Sequence, residues 1–101
     1  MIKYNSEDIA CEIGNCFNKV LKLSYSQVKE MEITDIIYLN NTVTICSNRP
    51  GLIIGAKGNR IDVLIEHLKE KVEGISICLK ENKTNNAIHS LYGAYNDPLE
   101  E

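Results

Sequence analysis

Between Arg49 and Leu68 the chain reads RPGLIIGAKGNRIDVLIEHL, a stretch that leaves few folds open. Gly55-Ala56-Lys57-Gly58 sets two glycines around a small residue and a cation, with an apolar run before it and a helical apolar pattern after it. Glycine lacks a Cβ, so it reaches positive φ and lets a ligand approach bare backbone N–H groups. Lys57 adds charge, and the helix that follows aims the positive end of its dipole at the same spot. Such a loop suits a closely held phosphate. Two familiar nucleotide loops fail on the same letters. Counted from Gly51, a P-loop needs glycine at 56 and a hydroxyl at 58, where Ala56 and Gly58 stand. The dinucleotide fingerprint fails on glycine spacing and on the missing acidic residue about twenty positions later.

Periodicity orders the rest of the chain. Ile9, Ile13, Cys16, Phe17, Val20 and Leu21 repeat as on an amphipathic helix over 6–22, with Ser6 as its cap and Glu7 and Asp8 complementing its dipole. A polar connection from Leu23 to Glu30 leads to a strand in which Ile33, Ile37 and Leu39 alternate with Thr34, Ile36 and Tyr38. Asn40-Asn41 is a turn signal, and Val43 and Ile45 alternate beyond it, so the two strands form a hairpin. Pro50 opens a short helix to Ile54. From Asn59 a second helix carries Ile61, Leu64, Ile65, Leu68 and Val72 on one face and closes at Gly74, and Ile75, Ile77 and Leu79 mark a third strand.

Arg49-Pro50-Gly51, Ile53-Ile54, the glycine loop, and Ile61 with Leu64 together resemble the core of a KH domain, whose G-x-x-G loop holds about four nucleotides of single-stranded nucleic acid. The order helix, strand, strand, helix, loop, helix, strand resembles the type II form, as found in a ribosomal small-subunit protein, over residues 6–81. The resemblance implies an α+β fold with the helices packed on one face of a three-stranded mixed sheet, the second and third strands being parallel neighbours. It divides the chain into a type II KH domain at 1–81 and a tail at 82–101. Two departures stand out. The ribosomal protein is longer, more basic and has a further domain, so this chain looks like a stand-alone unit; and Ala56 occupies a loop position that is often basic in the family.

The resemblance also implies the binding residues. Backbone N–H groups around Gly55, Ala56, Lys57 and Gly58 face phosphates, Lys57 supplies a point charge, Arg60 reaches the adjacent phosphate and Arg49 borders the groove. Ile54 and Ile61 form part of an apolar floor, with Ile77 a further contributor. Ile61 and Ile77 suit the plain core equally well, and Arg49 and Arg60 also suit a solvated surface. The expected partner is single-stranded RNA or DNA, RNA first, with no cofactor and no metal. Only Tyr38 among the aromatics lies in a strand, so base stacking is sparse and sequence preference modest.

Bulk properties bound this reading. A chain of 101 residues makes one domain. Its net charge of −3 is unusual for a nucleic-acid binder, but residues 49–71 hold five cations against three carboxylates, so positive charge gathers around the loop. Binding should be weak and salt-sensitive. Cys11, Cys16, Cys46 and Cys78 lack zinc spacing and suit reduced thiols, and the absence of a signal-like or membrane-spanning apolar run points to the cytoplasm. His67 and His89 have no catalytic partner in view, so no enzyme activity is expected. The tail gathers Ile88, Leu91, Tyr92 and Tyr95, which either fold as a short helix over the sheet face carrying Ile36, Tyr38, Cys46 and Cys78, or bind another chain. The alternative function follows from the second option: a KH-fold scaffold or dimerisation module with an inactive loop.

Overall fold

Asn5, one residue ahead of the expected cap, starts the first helix. The computed structural model describes residues 4–82 and the backbone of 89–92. Asn5 Oδ1 accepts the Asp8 N–H at 2.8 Å while Asp8 Oδ2 accepts the Asn5 N–H at 3.1 Å, a reciprocal box that satisfies two donors at the start of α1, Ser6–Asn15. Ser6 has another role: its hydroxyl accepts the Tyr38 N–H at 2.9 Å, so the helix N-terminus is tied to the outer edge of the sheet.

The single helix expected over 6–22 does not run unbroken. At Cys16–Val20 the backbone widens into a π-helical turn, in which the Leu21 N–H donates to the Cys16 carbonyl at 2.9 Å, five residues back. Widening the turn rotates the residues beyond it. Cys16 and Phe17 stay in the core, whereas Val20, expected inside, is 51% exposed. The supposed polar connection holds another helix, α2, Tyr25–Glu30, nucleated by a capping box in which Ser24 Oγ accepts the Gln27 N–H at 3.1 Å and Gln27 Oε1 accepts the Ser24 N–H at 2.8 Å. Ser-x-x-Gln was the signal for it in the sequence.

Strands β1, Ile33–Leu39, and β2, Thr42–Ser47, form the expected hairpin, with Asn40 and Asn41 both at positive φ as a tight primed turn requires. Pairing is irregular between Ile33 and Asp35, and the slip reverses the alternation beyond it. Ile36 and Tyr38 therefore pack against the core, while Ile37 and Leu39 point outward at 51% and 68% exposure. No single sheet face carries Ile36, Tyr38, Cys46 and Cys78 together, because Ile36 pairs with Ile45 whereas Cys46 pairs with Asp35 and Cys78 with Thr44.

Helices α3, Pro50–Ile54, and α4, Asn59–Lys71, return the chain to β3, Ser76–Glu81, which lies parallel to β2. This is the α+β architecture with a three-stranded mixed sheet that the sequence implies. The tail adds to it: His89–Tyr92 forms β4, antiparallel to β3, giving the order β1-β2-β3-β4, where a short helix had been the alternative. Ile88 and Tyr95 lie outside the described residues. The core lies between helices and sheet and consists of Ile9, Ile13, Cys16, Phe17 and Met31 with Val43, Ile45, Ile53, Ile61, Leu64, Ile65, Leu68, Ile75, Ile77 and Leu79. Among the described residues no helix is long and apolar enough to cross a membrane.

Candidate nucleic-acid interface

Ser47 fixes where the loop region begins. Fully buried at the end of β2, its hydroxyl donates to the Met31 carbonyl and accepts the Arg49 N–H at 2.8 Å. Asn48 is held alongside, its N–H reaching the Glu32 carbonyl at 3.1 Å and its side-chain amide Glu32 Oε1 at 3.0 Å. The chain thus enters α3 from a rigid base, and Pro50 occupies the first turn, where its missing N–H costs nothing.

The reversal between α3 and α4 depends on three special conformations within four residues. Gly55 sits at φ 79°, ψ 174°, a combination reserved for glycine, and its N–H closes α3 onto the Gly51 carbonyl at 3.0 Å. Lys57, at φ 56°, and Gly58, at φ 78°, are both left-handed, although Lys57 carries a Cβ. A 3₁₀ turn at Ala56–Gly58 is closed by the Gly58 N–H on the Gly55 carbonyl at 3.1 Å. The N–H groups of Ala56 and Lys57 head this turn, and neither donates to another described residue. Both side chains are exposed, and α4 begins at once behind them. Two amide donors without an acceptor among the described residues, an exposed lysine and the start of α4 therefore stand side by side, an arrangement suited to an anion.

The remaining expected site residues divide. Arg49 is exposed and borders an open groove of about 480 Å³ that it lines with Asn48, Pro50, Gly51, Leu52 and Glu81. Arg60 is half-buried, and its Nη1 donates to the Leu52 carbonyl at 2.8 Å. That bond satisfies a carbonyl at the end of α3 and clamps the two helices together, so Arg60 shapes the loop instead of reaching freely toward a phosphate. Ile54 is half-buried against the core. Ile61, 2% exposed, and Ile77, fully buried, are core residues with no surface to offer as a groove floor. Three groove residues escaped sequence reading, Asn48, Leu52 and Glu81. Leu52 is half-buried, packing against the core while also lining the groove, whereas its neighbour Ile53 is fully buried, and Glu81 arrives through the parallel pairing of β3 with β2, which brings both strand ends beside α3.

Among the described residues no three histidine, cysteine or carboxylate side chains gather as a metal would need. All four thiols are free of disulfides. Burial pushes the Cys16 thiol up from its ordinary value, and burial together with the neighbouring Cys46 does the same to Cys78.

Two short helices joined by a tight glycine turn and packed on a mixed α+β sheet define a class of nucleic-acid-binding module. The family model described as KH domain matches residues 12–85, well over half of the chain, and the protein belongs to that family. Comparison with curated proteins and with solved structures gave no match. KH domains bind single-stranded nucleic acid.

Proposed function

We propose that this protein is a type II KH domain that binds single-stranded RNA through Gly55-Ala56-Lys57-Gly58. The element order and the parallel β2–β3 pair support the type II reading. The observation that carries the function is the pair of unpartnered N–H groups at Ala56 and Lys57, held outward by the two glycines beside an exposed lysine. Lys57 and Arg49 are the free cations of the site, while Arg60 positions the loop through Leu52. Leu52 and the groove at the start of α3 take a base, and Glu81 favours one with an amino group. Four cysteines that form no disulfide suit a reducing compartment, which we take to be the cytoplasm.

With two free cations, log K should fall with log salt at a slope of about −1.4 for a single strand. The test is fluorescence anisotropy of labelled RNA and DNA pools at low and physiological salt, using the intact chain and the double variant Ala56→Asp, Lys57→Asp. Binding that vanishes in the folded double variant supports the loop. Binding untouched by the two aspartates refutes it. The scaffold reading draws on a different observation, the outward Ile37 and Leu39 on the open sheet face, and gains if neither pool binds at low salt.

A further inference from the structure

An open groove of about 360 Å³ lies between the π-helical turn and α4, lined by Val20, Asp62, Val63, Glu66, His67 and Glu70. We propose that it docks a basic amphipathic helix of a protein partner. Val20 and Val63 supply the apolar floor. Val20 continues the apolar repeat of the first helix and would be buried if that helix were regular; the π-helical turn rotates it out to 51% exposure at the groove instead. Inserted turns of this kind concentrate at functional sites.

The groove's charge selects the partner. Asp62, Glu66 and Glu70 stand at i, i+4 and i+8 along α4, a stripe spanning roughly 12 Å at 1.5 Å per residue. Like charges at this spacing destabilise a helix. Asp62 is compensated by the positive end of the dipole, but Glu70 lies in the last turn, where a carboxylate meets the negative end. Among the described residues none of the three forms an ion pair, and the pair His67 Nε2 to Glu12 Oε1 at 3.1 Å adds a fourth carboxylate beside the groove. Lys69 and Lys71, in the same last turn, do not line it. The stripe is therefore a cost to α4 that a cationic partner would offset.

A negative rim repels phosphate, which rules against nucleic acid and an anionic membrane as occupants and leaves a protein segment. An apolar floor bordered by a carboxylate row about two turns long matches a helix with leucine-type residues on one stripe and lysine or arginine beside it. Such a partner would bring cations to a chain of net charge −3, and the inference stands whether or not the glycine loop binds RNA.

The test uses the full chain, isotope-labelled for amide NMR, and three synthetic helical peptides of about fourteen residues: one with a leucine stripe flanked by lysines, one with the same composition scrambled to destroy the stripe, and one with glutamates replacing the lysines. The expected result is saturable binding of the first alone, with shifts centred on Val20, Val63, Glu66 and His67. Glu66→Lys with Glu70→Lys should weaken it about tenfold or more, and Val63→Ser severalfold. Glu66→Gln with Glu70→Gln serves if the reversal fails to fold, and should weaken binding in the same direction. Absence of binding, equal binding of the scrambled peptide, shifts centred elsewhere, or affinity unchanged in the folded variants would each overturn the proposal.

Discussion

Gly55→Ala and Gly58→Ala should differ sharply in cost although both glycines stand at φ near 79°. At Gly58, ψ 14° is the ordinary left-handed well, and an added Cβ would meet only Ile61 Cγ2 at 3.9 Å. A left-handed alanine costs about 1–2 kcal/mol, and the entropy lost by the unfolded chain returns about 0.4–1 kcal/mol. The net loss is then about 1 kcal/mol. At Gly55, ψ 174° lies where only glycine is comfortable, worth about 1–3 kcal/mol of strain. The new Cβ would also fall 2.7 Å from Arg60 Cγ, 2.9 Å from Arg60 Cβ and 2.8 Å from Asn59 Oδ1. Asn59 Oδ1 is a side-chain tip that can swing away, but Arg60 Cβ and Cγ are near the backbone and cannot. Displacing Arg60 breaks its bond to the Leu52 carbonyl, a charge-assisted contact worth about 1.5–3 kcal/mol. After the same entropic offset, Gly55→Ala should lose about 3–4 kcal/mol. Urea denaturation at neutral pH measures both. In an Arg60→Ala background the cost of Gly55→Ala should fall by at least about 1 kcal/mol, because the clamp is already gone. Equal losses at the two glycines, or full additivity in the cycle, would refute the assignment of Gly55 to close packing against Arg60.

Ser47→Ala should cost about 1–3 kcal/mol by orphaning the Met31 carbonyl and the Arg49 N–H, and amide exchange at Arg49 should quicken with it. Asn5→Ala should cost about 1 kcal/mol in thermal denaturation through loss of the capping box. Iodoacetamide at mildly alkaline pH should label exposed Cys11 well before buried Cys16, a ranking read by peptide mass spectrometry. The raised Cys16 value also has a sign in stability: the unfolded chain releases that proton first, so stability should fall as pH climbs past the ordinary thiol range, and Cys16→Ala should flatten that fall.

Long regular segments were legible because their signals are local. The apolar face of α4, the Asn40-Asn41 hairpin and the alternation of β3 all follow from residues close in sequence, and so did the glycine turn. The misses share a different cause. Whether Ile37 or Ile36 faces the core depends on one pairing slip across to β2, and the outward rotation of Val20 depends on a single widened turn. Neither leaves a mark in composition. Helix α2 is the exception, since its Ser24-x-x-Gln27 box is a local signal present in the sequence of the segment expected as a polar connection.

What the sequence determined by itself was the order of elements and the place of the glycine loop, because periodicity and backbone freedom belong to each segment. Tertiary structure alone decided which side chains the site receives. Arg60 became a clamp because the Leu52 carbonyl lies within reach of its guanidinium, and Ile61 became core because α4 settles that face against the sheet. Glu81 came to the groove, and Val20 to the far side of α4, through packing between segments distant in the chain. Side-chain roles of this kind depend on which surfaces are removed from water together, and that is settled only when the elements meet.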